Sequence, residues 1–149
     1  DFGCVKLFPD EFFRLYLELL PTHLAGDEQA IWDLYVKLSV VDPGAEDQGK
    51  VSEYYHFAKN YGTIFSKPYR YDIFNFDDPN YDAAIRHFTK EAPLSTELRG
   101  SKHFLYTSRV HTGLYSLLIK LGAQIDTRSA KKILNNLLNV EFSQFAETT

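Results

Sequence analysis

Apolar residues recur at helical spacing in one stretch of this chain after another, and each stretch ends at a proline, a glycine or a polar joint. That alternation constrains the fold more than any single motif. The first stretch follows Pro9, with Asp10 and Glu11 suited to the positive end of a helix and Phe12, Phe13, Tyr16, Leu17 and Leu20 on one face. Pro21 is expected to stop it. Asp27 caps a second helix striped by Ala30, Ile31, Leu34, Tyr35 and Leu38, which Pro43-Gly44 ends in a turn. A third helix is expected over roughly 46–65, with Val51, Tyr54, Tyr55, Ala58, Tyr61 and Phe65 inward.

Asp78-Pro79 opens a fourth helix carrying Tyr81, Ala84, Ile85 and Phe88. The strongest helical pattern runs from Ser101 to Leu121. There Phe104, Leu105, Val110, Leu114, Leu117, Leu118 and Leu121 are expected to form a buried face, with Gly122 as the C-cap. Thr127 caps a last helix, Ala130 to Asn139, and residues 141–149 read as a fraying tail. The expected fold is all-α, about six helices packed as one domain over residues 1–149.

Residues 66–80 break the periodicity. Lys67-Pro68-Tyr69-Arg70-Tyr71-Asp72-Ile73-Phe74-Asn75-Phe76 is aromatic and polar between prolines. Tyr71 to Ile73 alternate as a short strand would. An extended loop pinned by aromatics is preferred, because a lone strand has no evident partner.

Composition narrows the function classes. The chain has 149 residues, of which 44% are hydrophobic, enough for a core without disulfide or metal staples. A net charge of -4 argues against a basic nucleic-acid surface. No apolar run approaches the ~20 residues that span a bilayer, and nothing has the layout of a signal peptide. The single cysteine, Cys4, rules out an internal disulfide and fits a reducing, cytoplasmic setting. The chain opens on Asp1 and contains no methionine, which points to a piece of a longer protein.

The opening triplet carries the chemistry. Asp1-Phe2-Gly3 has the form of the DFG element of kinase-like folds. There the carboxylate binds Mg²⁺ at the phosphates of ATP, the Phe packs against the fold, and the Gly permits a close turn. The stretch DFGCVKLFPDEFFRLYLELL resembles the segment from the DFG onward in the UbiB family, the ADCK- or COQ-type atypical kinases and ATPases linked to ubiquinone biosynthesis. In that family a helix follows the triplet almost at once, with no long activation loop and no Ala-Pro-Glu. Here too Pro9 or Asp10 starts a helix and Ala-Pro-Glu is absent. RGSKHFLYTSRVHTGLYSLLIKLGAQID is similar to the carboxy-terminal helical part of such proteins.

The resemblance implies a helical part of a kinase-like C-lobe. Asp1 is its metal ligand, and Phe2 and Gly3 are the neighbours supporting the cofactor site. ATP and Mg²⁺ would be held only in an intact parent. The family's Ala-rich loop, Lys-x-Gly-Gln extension, phosphate-pairing Lys and catalytic Asp and Asn have no counterpart here, so the piece alone is expected to be inert. The family also implies work at a membrane surface on isoprenoid lipids.

The remaining polar residues carry less. His103 and His111 lie two turns apart on one helix face, without the i, i+4 spacing of helical metal ligands, and read as structural. His23, His56 and His87 are isolated in the sequence. Arg99 and Arg109 suit ion pairs. Cys4 suits inert packing, and Asp77-Asp78 suits a helix cap better than a calcium loop. The alternative to the kinase reading is an autonomous helical interaction module that docks through the aromatic residues of 54–76.

Overall fold

The computed structural model describes residues 5–91 and 102–145, apart from the side chains of residues 91, 102, 105 and 143. Asp1, Phe2, Gly3, Cys4 and Arg99 lie outside the described residues, as does the side chain of Leu105. The described chain is mostly helical. The helices are α1 (Asp10–Ala25), α2 (Glu28–Lys37), α3 (Gln48–Ser66), α4 (Pro79–Glu91), α5 (Lys102–Lys120) and α6 (Arg128–Leu138). Short 3₁₀ turns cover Lys67–Arg70 and Phe142–Phe145, and two strands, β1 (Ile73–Asn75) and β2 (Gln124–Asp126), complete the elements.

The caps work as their chemistry requires. Asp27 accepts from the Ala30 amide and Asp47 from the Lys50 amide, each at 3.0 Å, opening α2 and α3. The Asp78 carboxylate accepts from the Asn80 amide at 2.9 Å at the start of α4, so Asp78 caps this helix, while the Asp77 amide donates to the Asn75 side chain. Gly122 ends α5 at φ 56°, a conformation that suits glycine.

Pro21 does not stop α1. The helix runs four residues further, to Ala25, and ends at Gly26 with φ 72°. Pro21 deprives the Leu17 carbonyl of its usual donor. Burial of Leu19, His23 and Leu24 on either side of it holds the helix together. Conversely, α2 ends well before Pro43. Ser39 turns at φ 55°, and the Val40 amide reaches back to the Tyr35 carbonyl at 2.8 Å, which drives Val40 and Val41 into the core.

The preferred loop reading of residues 66–80 also needs correcting. Ile73, Phe74 and Asn75 pair antiparallel with Asp126, Ile125 and Gln124. The partner strand was not evident because it follows α5, far along the chain. Phe74 points inward and meets Phe76 and Tyr81 edge-on, each with ring centroids 4.9 Å apart. Thr127 occupies the N-cap position of α6, but its hydroxyl donates to the Tyr71 carbonyl. The Asp126 carboxylate takes the Arg128 amide at 2.9 Å instead. Lys131 to Asp72, 2.6 Å, ties α6 to the residue before β1. The expected frayed tail is docked as far as Phe145: Phe142 is 1% exposed, and its amide donates to Asn135.

On α5 the expected inward face is largely outward. Val110, Leu117 and Leu121 are 67%, 53% and 68% exposed, and Leu114 is exposed as well. The core-facing row is Phe104, His111, Tyr115 and Leu118. Both rows have helical spacing. The aromatic row covers more area per residue, so it takes the interior. The aromatics of 54–76 are core rather than docking face: Tyr61, Phe65, Phe74 and Phe76 are buried, and Tyr54, Tyr55 and Phe57 are half-buried.

Candidate functional site

A cavity of about 160 Å³ lies where α1, α3 and α5 converge. Its floor is buried: Leu19 and His23 from α1, Tyr35 from α2, Tyr61 and Phe65 from α3, Phe104 and Tyr115 from α5. Half-buried Tyr16, Leu17 and Leu20 of α1, Tyr69 of the first 3₁₀ turn, His111 of α5 and Leu134 of α6 form its mouth. No lysine, arginine or carboxylate is among the lining residues.

His23 is 6% exposed. The Tyr35 hydroxyl donates to the Ala58 carbonyl at 2.7 Å, so its one proton is committed. The 2.9 Å contact between His23 Nε2 and that hydroxyl therefore has the imidazole as donor. This network assigns His23 the Nε2–H tautomer and leaves Nδ1 a bare acceptor, buried without a hydrogen-bond partner among the described residues. Burial, with a smaller contribution from the Lys59 charge, holds its pKa down at about 4, so the ring is neutral at physiological pH. The ring reaches this position only because residue 62 is glycine. A β-carbon there would sit 2.1 Å from Nε2. A glycine inside a helix costs ~1 kcal/mol relative to alanine, and close approach of the imidazole is the reason for it here.

The tyrosines around the cavity are mostly committed. Tyr61 donates to Ser108 O at 3.4 Å and Tyr115 to Phe65 O at 3.1 Å, while Tyr16 shares a 3.1 Å hydrogen bond with His111 Nδ1. Burial pushes the Tyr16 phenol up to about 12 and raises Tyr61 and Tyr115 further. Burial likewise lowers the His111 pKa. The cavity is thus uncharged and lined by rings, with few open polar positions. Tyr69 is one of them: its hydroxyl makes no hydrogen bond among the described residues.

His103 and His111 do share a face, toward α1: His103 lies 5.1 Å from the Phe12 ring centroid, and His111 bonds Tyr16. His23 is not isolated in space. A lone histidine in the sequence gave no sign of it, although a glycine inside a helical pattern (Gly62) was an available hint of close packing. Arg109 is exposed and pairs with no carboxylate among the described residues. His56 and His87 are exposed.

Asp1, Phe2 and Gly3 fall outside the described residues, and no described cluster of three His, Cys, Asp or Glu side chains is placed to hold a metal ion. Among the described residues, no helix is long and apolar enough to cross a membrane. No protein-family model, curated protein or solved structure matches the chain.

Proposed function

We propose that this chain is the helical, carboxy-terminal part of an ATP-dependent atypical kinase or ATPase of the UbiB type, inert by itself. In this reading Asp1 gives one carboxylate to a Mg²⁺ site, flanked by Phe2 and Gly3, and the remaining ligands and the ATP pocket belong to other parts of the protein.

The observation that carries the reading is the clamp just after the triplet. Phe8 stacks on Phe12 at 5.4 Å and meets the His103 ring at 5.8 Å, while Lys6 lies 5.3 Å over the Tyr106 ring. Lys6 and Phe8 are therefore held against α1 and α5. Anchoring a few residues downstream of Asp1 would favour a metal-binding role for it, since phosphoryl transfer depends on positioning.

The test is ATP hydrolysis with Mg²⁺ by the full reading frame that contains Asp1. Turnover is expected there, with Asp1→Asn at background and the 149-residue chain alone also at background. Full turnover by the Asp1→Asn protein, or a reading frame that starts at this aspartate, overturns the proposal.

A second reading has its own observation. The exposed apolar row of α5, with Val110, Leu114, Leu117 and Leu121, suits a helical interaction module or contact with a lipid surface. It replaces residues 54–76 as the docking face of that alternative.

A further inference from the structure

We propose that the cavity between α1, α3 and α5 is a binding site for a small, neutral, ring-sized molecule bearing one carbonyl oxygen, held by a hydrogen bond from the Tyr69 hydroxyl. This inference is independent of the kinase reading, because it uses nothing of the opening triplet.

Size sets the first limit. At about 160 Å³ the cavity is close to engineered apolar cavities of about 150 Å³ that take up benzene. A six-membered ring fits, and a long chain does not fit within it. Charge sets the second limit. Without a cationic or acidic side chain in the lining, a carboxylate, phosphate or ammonium group would enter unpaired and lose its hydration.

The polar handle sets the third. The hydroxyls of Tyr35, Tyr61 and Tyr115 donate to backbone carbonyls, and Tyr16 bonds His111. Tyr69 lines the same cavity, yet its hydroxyl has no hydrogen-bond partner among the described residues. Burial holds it protonated. A phenolic O–H at the mouth of an apolar, aromatic-walled cavity offers a donor, and a carbonyl is the acceptor that brings no charge and no further donor to satisfy. The ring of such a ligand would rest against Phe65, Leu19 and Tyr115.

The experiment compares cyclohexanone with methylenecyclohexane, which has nearly the same shape but no oxygen. Both are titrated into the protein and followed by chemical-shift changes at the lining residues. Cyclohexanone is expected to bind about 5- to 10-fold tighter, as one net hydrogen bond allows. Tyr69→Phe removes a hydroxyl that makes no hydrogen bond among the described residues, so it is expected to leave the melting temperature unchanged and to equalise the two probes. Leu134→Trp is expected to fill the cavity and abolish both. Failure of either probe to bind, equal affinities in the unaltered protein, or a carbonyl preference that survives Tyr69→Phe overturns the proposal. Should Leu134→Trp fail to fold, the Tyr69→Phe comparison decides alone.

Discussion

The imidazole of His23 occupies the space where a side chain at position 62 would begin: a β-carbon on Gly62 would lie 2.1 Å from Nε2 and 2.2 Å from Cε1. Two helices meet at this point with no room to spare. Gly62→Ala normally adds helix propensity, worth ~1 kcal/mol. Here it is expected to destabilise by about 2–3 kcal/mol, because the ring is buried and has nowhere to go. Urea denaturation of Gly62→Ala, His23→Ala and the double variant checks this. The double variant should be less destabilised than the sum of the two singles, which is the signature of a direct clash.

The same histidine makes stability depend on pH in a definite direction. Burial holds its pKa at about 4 in the folded protein, below the ordinary value of 6.5. Between these values the unfolded chain binds the proton and the folded one does not, so stability rises with pH across the window. Its contribution is complete above about pH 6.5 and is lost as the pH falls toward 4. A depression of this size is worth roughly 3 kcal/mol. Denaturation midpoints measured from pH 7 to pH 4 should fall, and His23→Gln should flatten that part of the curve.

Tyr35 serves two partners with one hydroxyl, accepting from His23 and donating to the Ala58 carbonyl. Tyr35→Phe leaves the His23 N–H buried without an acceptor. The expected loss is about 2 kcal/mol, more than one hydrogen bond usually contributes. The histidine pKa should fall further, since the hydroxyl oxygen that faces its N–H favours the charged ring. A chemical-shift titration of the imidazole follows that change.

The two faces of α5 should differ sharply under substitution. Val110→Lys and Leu117→Lys place charges at positions 67% and 53% exposed and are expected to cost no more than about 0.5–1 kcal/mol. Tyr115→Ala, on the core-facing row at 8% exposed, is expected to cost about 3–5 kcal/mol. Thermal melts of the three variants distinguish the faces. Equal losses would put the aliphatic row inside after all.

Much of the helical frame was legible in the chain. Asp27, Asp78 and Gly122 mark helix ends through local hydrogen bonds or a left-handed turn, which depend on a few neighbouring residues. Pro21 misled because a local breaking signal met non-local burial of Leu19, His23 and Leu24. The strand at Ile73–Asn75 was hidden for a related reason: its stability lies in Gln124–Asp126, and no local pattern joins the two. The candidate site was the least legible part. His23, Tyr69 and His111 come from three separate segments, and only packing makes them neighbours around one cavity.

The amino-acid order alone therefore determined which stretches are helical and where most of them begin, because capping and apolar periodicity act over one or two turns. The tertiary structure decided which of two apolar rows on α5 faces inward, that α1 passes through Pro21, and that a histidine and a glycine share one space. Each of those outcomes depends on how large side chains from distant segments fill a common volume, and pairwise spacing along a chain carries no record of volume.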